Sequence, residues 1–253
     1  MALPGYTFLQ GNNLATNVYS TDAIEFNATN STITYDSEFV ENAISDYTIT
    51  AWVRNDRAFG SDVTEAVLVF DASYQYSFGI EPETDTSASY VFLNAPGWGN
   101  NSEAESNGWT TTAEWVFIGV SVHFDGSGSG KGSFCVNNTG SPTGASNFIS
   151  WGSNSGTAMD RLIIGRNYLT HYDGCLADVQ YRREFTDFEI EAQRRRYIDE
   201  FGKPVAHDIT GTTFSGSRDV ILKGDSSSWT QTGRSIGTQV LNNITDCADS
   251  PSD

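Results

Sequence analysis

The amino-acid sequence predicts an all-β fold: an antiparallel two-sheet sandwich with one short helix toward the C-terminal side and a β-prone C-terminal extension. Short runs in which apolar and other residues alternate recur along the 253-residue chain, as in strands with one buried face. Aromatic residues make up 13% of the chain, and Gly, Ser, Thr and Asn are abundant, which favours short strands joined by turns. The length suits one large all-β domain.

The first half of the chain contains several predicted strands. Residues Ala23–Tyr35 predict two short strands around an Asn-rich turn. Asp46–Arg54 alternates strictly between two sets of side chains, so one set is expected to face a core. Ala66–Phe70 and Tyr90–Leu93 are two further apolar runs of strand length.

The clearest strand is Glu114–Phe124, with valine or isoleucine at every second position from 116 to 122. This period places Val120 in the middle of a core-facing row. The glycine- and serine-rich stretch 125–132 predicts a turn into a second strand, which makes a hairpin. Arg161–Gly165 and Cys175–Tyr181 complete the series of strands.

A helix and a polar segment follow the last of these strands. Thr186 and Glu189 have the spacing of a capping box, which predicts a helix running to about Ile198. Residues 203–253 are polar and rich in Ser and Thr, with two β-like runs. The sequence therefore predicts a sandwich over residues 1–202 and an extension over 203–253 that serves assembly. The surface that this extension contacts belongs either to the same chain or, as we favour, to a neighbouring chain.

Four segments occur in the order that is typical of a known family. They are Ala23–Tyr35 with its Phe-Asn-Ala turn, DYTITAWVR with its Trp-Val pair, EWVFIGVSVHFDGSGSGKGSFCVNN, and IIGRN followed by YDGCLADVQYRREFTDFEIEAQ. Together they resemble the laminin-G-like jelly roll, also called the concanavalin A-like lectin/glucanase superfamily. The resemblance covers roughly residues 5–200 and implies a jelly-roll sandwich; the functions of the family vary widely.

Charge limits the classes of partner. The formal net charge is −18, which argues against nucleic acid and against anionic membranes. No apolar run is long enough to span a membrane, so no membrane insertion is expected. The first residues, MALPGYTFLQGNN, lack a basic segment followed by an apolar one, so no secretory signal is predicted.

Cysteines and sequons leave alternatives open. Cys135, Cys175 and Cys247 are an odd number, so at least one thiol is unpaired within the chain, and the sequence does not choose a pair. Asn-x-Ser/Thr sequons occur at positions 27, 30, 100, 137 and 243. They would be glycan acceptors in a eukaryotic secreted protein, but several arise by chance in such a composition.

The sequence predicts no enzyme. Relatives that hydrolyse glycosides carry their carboxylates as Glu-x-Asp-x-Glu or Glu-x-Asp-x-x-Glu on one strand, and neither pattern occurs here. The nearest acidic cluster, Glu81–Asp85, is interrupted by a proline. The three histidines have neither metalloprotease spacing nor the setting of a catalytic triad.

The resemblance also implies a structural calcium ion, since many relatives bind one. The matching positions are Asn27 in the opening turn and Asp173 and Asp178 in the last loop and strand. Calcium prefers several oxygen ligands from carboxylates, carbonyls and amides. The family has aspartate where this chain has Asn27, which removes a charge. The alternative is that these residues serve turns and solvation.

Many relatives bind glycans, and one segment of this chain has the required residue types. Asn94–Trp109 contains two tryptophans and several amide and carboxylate groups, which could stack on a sugar ring and bond to its hydroxyls. The alternative is that the tryptophans only attach the loop to the sandwich. The predicted glycan-binding residues are Trp98, Trp109, Asn94, Asn100 and Glu103.

Two functions compete. The first is a non-enzymatic structural or adhesive subunit of a virus particle (a decoration, fibre or tail-type protein) or of a surface filament, with glycan binding through the sandwich. Its partners would be copies of itself, other subunits and cell-surface glycans, at an extracellular or virion surface. The alternative is a secreted calcium-dependent carbohydrate-binding module. A glycoside hydrolase is the third possibility, and the missing carboxylate pattern argues against it.

Overall fold

The computed structural model describes residues 22–35, 46–57, 65–69, 77–82, 89–94, 103–105, 113–124, 129–137, 139–142, 148–150, 161–166, 170–205, 215 and 218–252. These ranges contain seventeen strands and one four-residue helix. Within them, no helix is long and apolar enough to cross a membrane. The prediction of an all-β fold is confirmed.

The first eleven strands are β1 (Ile24–Asn27), β2 (Thr32–Tyr35), β3 (Tyr47–Asn55), β4 (Glu65–Val69), β5 (Ser77–Pro82), β6 (Ser89–Asn94), β7 (Glu103–Glu105), β8 (Trp115–Phe124), β9 (Ser129–Val136), β10 (Thr139–Pro142) and β11 (Phe148–Ser150). The later elements are β12 (Leu162–Ile164), β13 (Asp173–Arg182), α1 (Glu191–Arg194), β14 (Val220–Lys223), β15 (Thr230–Gly233), β16 (Gln239–Asn242) and β17 (Thr245–Asp246).

These strands form two antiparallel sheets. The ten-stranded sheet has the order β10-β9-β8-β3-β13-β1-β17, with β11 beside β9 and the β14–β15 hairpin beside β13. The seven-stranded sheet has the order β16-β2-β12-β4-β5-β6-β7. One apolar core cluster draws side chains from both sheets, as expected for sheets packed face to face.

The alternating runs of β3 and β8 place their apolar side chains as predicted. Ile49 lies opposite Val120, and Val53 lies opposite Val116. All four are buried and belong to the main core cluster. The predicted hairpin is formed by β8 and β9, in which Val120 also pairs with Phe134.

The segment 183–205 covers the other face of the ten-stranded sheet. Phe188 and Tyr197 are buried there in a second apolar cluster with Trp52 and Phe117. Their rings lie in contact, with 5.8 Å between the ring centroids of Phe188 and Tyr197. Gly119 is required beneath them, because a Cβ at that position would lie 2.8 Å from the Phe188 ring.

The predicted capping box is wrong. The helix α1 is only four residues long and begins after Ile190, which makes no side-chain capping bond. The Thr186 hydroxyl bonds instead to the hydroxyls of Tyr197, at 3.0 Å, and Thr48, at 3.1 Å. Burial of this polar group against the sheet outweighed the local capping pattern, because its hydroxyl needs partners where water is excluded.

Three strands of the segment 203–253 pair with strands of the predicted sandwich. β14 pairs with β13 in the ten-stranded sheet, β16 pairs with β2 in the seven-stranded sheet, and β17 pairs with β1. Trp229 and Ile236 are buried in the main core cluster. The described part of this segment therefore contacts its own chain. The sequence did not indicate these pairings, because a local pattern does not specify which distant strand lies beside a given strand.

A disulfide fixes the end of the chain to the sandwich. Cys175 in β13 is bonded to Cys247, 72 residues later, just after β17. Cys135 is the unpaired cysteine that the odd count requires, and it is buried. Burial raises the pKa of its thiol to about 12, although the nearby Arg194 opposes the rise, so this thiol stays protonated at neutral pH.

Candidate functional site

One edge of the seven-stranded sheet brings together two of the predicted glycan-binding residues. Asn94, the last residue of β6, pairs with Glu103, the first residue of β7. In the described ranges, β7 is the outermost strand of this sheet. The chain between the two paired residues has the sequence APGWGNNS, so an amide and a carboxylate residue flank the loop that carries Trp98.

The same edge contains a second acidic residue that the sequence analysis missed. Glu105 lies two residues after Glu103 and pairs with Phe92. The Glu-Ala-Glu spacing of β7 was the signal for this acidic pair.

The other predicted glycan-binding residues are not placed. Trp98, Asn100 and Trp109 lie outside the described residues. The candidate glycan site thus consists, in the described part of the chain, of the paired positions Asn94 and Glu103 with Glu105 beside them.

The opening turn brings together two of the three predicted calcium ligands. Asn27 in β1 lies directly opposite Asp173 in β13. The side-chain oxygen Oδ1 of Asn27 accepts bonds from the backbone amides of Thr29 and Asn30, both at 3.1 Å. Ala28, the residue that follows Asn27, has a positive φ of 58°. The amide of Asn27 therefore closes the turn, a role that asparagine side chains often have.

Asp178 lies away from this pair. It is buried in a bulge of β13, with a positive φ of 49°, at the point where the pairing with β3 changes register. Five residues of strand separate it from Asp173, which corresponds to roughly 16 Å. The structure therefore groups Asn27 with Asp173 only. Among the described residues, no three His, Cys, Asp or Glu side chains are grouped to hold a metal, and calcium stays a prediction.

Arginines surround the corner that Asn27 and Asp173 share. Arg54 binds Asp56 with two bonds, Nε to Oδ1 at 3.0 Å and Nη2 to Oδ2 at 2.8 Å, and its Nη1 binds Asp249. The Asp56 amide donates to the carbonyl of Asp173 at 3.0 Å. Hydrogen bonding to Asp56 raises the pKa of the Arg54 guanidinium, with burial opposing the rise. The carboxylates of Asp56 and Asp249 thus already neutralise the charge of the Arg54 guanidinium.

A second part of this corner is also basic. The Nη2 of Arg57 donates to the carbonyl oxygen of His171 at 3.3 Å, and Arg166 forms a β-bridge with His171. Burial, and secondly the charge of Arg166, lower the pKa of the His171 imidazole. The imidazole is therefore neutral at pH 7. In an acidic protein with 14 Lys and Arg residues, this concentration of arginine opposes the binding of a cation.

Solved structures share the fold. No family model and no curated protein sequence matches the chain. A heptameric SAP-like pentraxin from Limulus polyphemus has a TM-score of 0.55 at 12% identity, over 86% of this chain and 97% of its own. Two others have lower scores. A candidate carbohydrate binding protein from Bacteroides ovatus has a TM-score of 0.43 at 16% identity, over 90% of this chain and 62% of its own. The enzymatically active domain of tailspike protein 2 of bacteriophage CBA120 has a TM-score of 0.41 at 11% identity, over 69% of this chain and 26% of its own.

These similarities define the class of fold and not the particular activity. The chain has the concanavalin A-like jelly-roll fold, in which two antiparallel sheets pack as a sandwich. The resemblance on which the sequence analysis relied is confirmed at this level. At 12% identity, the likeness extends to the fold alone, because unrelated functions are built on the same scaffold.

Proposed function

We propose that this protein is a non-enzymatic, lectin-like binding module that recognises a glycan at the β6–β7 edge of its seven-stranded sheet. The pairing of Asn94 with Glu103 carries the proposal. It anchors both ends of a loop that contains Trp98 and Asn100. Sugar sites combine an aromatic face with hydrogen-bonding amides and carboxylates, and the rigid sheet holds the two ends of the loop at a fixed separation.

The charge of the site specifies the class of glycan. Glu103 and Glu105 lie two residues apart on the edge strand, and the whole chain carries a net charge of −18. A sialylated or sulfated glycan would have to approach like charges. The ligand is therefore a neutral glycan, or one that carries amino groups.

The proposed setting is an assembly at an extracellular or virion surface, where the module is an adhesive subunit beside copies of itself or other subunits. The pentraxin that shares the fold is described as heptameric, which supports self-association. The second candidate is a secreted module whose carbohydrate binding depends on calcium. The opposed positions of Asn27 and Asp173 favour it, whereas the surrounding arginines argue against it.

A glycan array tests the proposal. The native protein is expected to bind neutral or amino-bearing glycans, and Trp98→Ala and Glu103→Gln should each weaken that binding about tenfold or more. Glu189→Gln is the matched control, because Glu189 is exposed on the segment that covers the other sheet. Binding that all three variants retain would overturn the proposed site. Loss of binding on chelation of calcium would favour the secreted, calcium-dependent module.

A further inference from the structure

The side-chain oxygen of Asn27 is already fully used within the opening turn. An amide oxygen has two lone pairs, and Oδ1 of Asn27 accepts one bond from each of the backbone amides of Thr29 and Asn30. The nitrogen Nδ2 of the same side chain donates to Oδ1 of Asn30 at 3.2 Å. Calcium bound through Asn27 would therefore break the turn that this side chain closes.

The backbone oxygens beside this turn also have partners. Each of the three carbonyl oxygens of residues 171–173 accepts a hydrogen bond from the protein. The donors are, in chain order of the acceptors, Nη2 of Arg57 at 3.3 Å, the backbone amide of Ala28 at 3.1 Å and the backbone amide of Asp56 at 3.0 Å. A calcium ion takes about six to eight oxygen ligands, among them carbonyls and carboxylates. The oxygens that this corner could offer are already bonded to donors of the chain itself.

A guanidinium joins two acidic segments at the same corner. Arg54, near the end of β3, binds Asp56 through two nitrogens and Asp249 through the third. Asp249 lies two residues after Cys247, the cysteine that is bonded to β13. The Arg54 side chain is only 15% exposed, and its planar fork of donors suits carboxylates. Arg54 therefore holds carboxylates from two separate segments together, as a structural calcium ion does.

We propose that Arg54 takes the place of a structural calcium ion in this fold, so that the corner of Asn27 and Asp173 is stable without calcium. The cation belongs to the chain, and it is permanent, because a guanidinium stays protonated at physiological pH. Its charge opposes the approach of a second cation. This role of Arg54 does not depend on glycan binding, and it argues against the secreted, calcium-dependent module.

Melting curves of the native protein with different divalent cations test this proposal. The protein is heated with about 10 mM calcium, with the same concentration of magnesium, or with a chelator alone. Magnesium is the matched control, because any divalent cation screens the self-repulsion of a chain of net charge −18. The melting temperatures in calcium and magnesium are expected to agree within about 1 °C. A calcium site with a Kd of about 10⁻⁴–10⁻³ M would add about 3 °C or more.

The variant Asp173→Asn separates this corner from the rest of the chain. A calcium-specific rise in the melting temperature that Asp173→Asn abolishes would overturn the inference, because the ion would then bind at the corner. A calcium-specific rise that Asp173→Asn retains would come from a different part of the chain and would agree with the inference. Neither result changes the outcome of the glycan array, which tests the proposed function separately.

Two further variants test the role of the guanidinium. Arg54→Gln should lower the melting temperature by about 3 °C or more, since it leaves the carboxylates of Asp56 and Asp249 without their cation. Asp249→Asn should lower it less, because this carboxylate is 45% exposed. Arg218→Gln is the matched control: Arg218 is exposed and precedes β14, which pairs with the other end of β13. If both corner variants melt at the temperature of Arg218→Gln, Arg54 does not hold the corner and the inference fails.

Discussion

The indole Nε1 of Trp229 donates a hydrogen bond to the hydroxyl of Tyr35 at 3.0 Å. The two residues are 194 positions apart, and both are buried in the main core cluster. The Tyr35 hydroxyl in turn donates to Oε1 of Gln239 at 2.9 Å. This chain of bonds joins the second strand of the fold to β16 and to the residue that precedes β15, so the end of the chain completes the core that its beginning starts.

Alkaline pH should destabilise the protein through Tyr35. Burial raises the pKa of this phenol to about 12, while the bond from Trp229 opposes the rise. The unfolded chain loses this proton near pH 10. The stabilising contribution is therefore complete below about pH 10 and disappears as the pH rises to about 12. We expect the free energy of unfolding to fall across that window by up to about 2–3 kcal/mol, as measured by urea denaturation at successive pH values.

The variant Tyr35→Phe is the control for this effect. It should be less stable than the native protein at pH 8 by about 1–3 kcal/mol, because the Trp229 indole loses its acceptor. Its further loss of stability between pH 10 and 12 should be smaller than that of the native chain. Burial also raises the pKa of Tyr197, so this residue should contribute to the loss that remains. An equal loss in both proteins would contradict the assignment to Tyr35.

The disulfide should contribute strongly to stability. The bridge between Cys175 and Cys247 closes a loop with a sequence separation of 72 residues, and the entropy of such a loop in the unfolded chain is worth about 4 kcal/mol. We expect a reducing agent to lower the melting temperature of the native protein. Cys247→Ser should melt at the lower temperature whether or not the reductant is present.

Cys135→Ala is the matched control, because Cys135 is the buried thiol outside the bridge. It should retain the response to the reductant even if the change costs some packing. Alkylation would confirm that the reductant has opened the bridge, because two further thiols would react. If the melting temperature of the native protein then stayed unchanged, the bridge would not stabilise the fold.

Val120 tests which face of β8 is buried. Its side chain is fully buried in the main core, opposite Ile49 of β3 and Phe134 of β9. Val120→Asp should cost roughly 3 kcal/mol or more, since it buries a carboxylate without a partner. The measurement is a thermal or urea denaturation curve. Phe201→Asp, at an exposed position, should change the denaturation curve little. Similar melting of both variants would refute the conclusion that the Val120 face of β8 is buried.

The central strands were predictable from the sequence because their apolar period is strict. Val120 and its neighbours on β8 face the core as the alternation requires. The pairing of Tyr35 with Gln239 across the sheet has no local signal, since β16 is short, mostly exposed and flanked by polar residues. Local patterns report which face of a strand is buried, and they do not report which distant strand lies beside it.

The candidate site was predictable only in part, for a related reason. Asn94 and Glu103 were identified by residue type, and the register between β6 and β7 is what makes them neighbours. Asp178 was grouped with Asp173 because the family resemblance implied a calcium site in the last loop and strand, where both residues lie. Successive residues of a strand are about 3.3 Å apart along its axis, so Asp173 and Asp178 are close in the sequence but far apart in space.

No hydrolase activity is expected. The carboxylate pattern of the hydrolytic relatives is missing from the sequence, and such chemistry needs two carboxyl groups at opposite sides of the scissile bond. Incubation with a panel of β-glucans and galactans should release no new reducing ends. Turnover that Glu103→Gln or Glu105→Gln abolishes, and Glu189→Gln leaves unchanged, would show that the acidic pair on β7 is catalytic.

Truncation after Gly202 should prevent folding. It removes the buried side chains of Val220, Leu222, Trp229 and Ile236 from the main core. It also removes β17, one of the two neighbours of β1, and β16, one of the two neighbours of β2. At about 1.5–3 kcal/mol for each buried side chain, this loss approaches 10 kcal/mol before the disulfide is counted. Single domains have a total stability of about 5–15 kcal/mol.

The measurement is circular dichroism of the truncated chain with a melting curve, compared with a chain shortened only after Cys247. The shorter deletion keeps the bridge and every buried residue named above, so it should melt cooperatively, with a small loss from the bond between Arg54 and Asp249. A chain ending at Gly202 that is soluble, monomeric and cooperatively folded would show that the sandwich closes without its last strands. Residues 203–253 would then be an appendage available for contacts with other chains, as the sequence predicts.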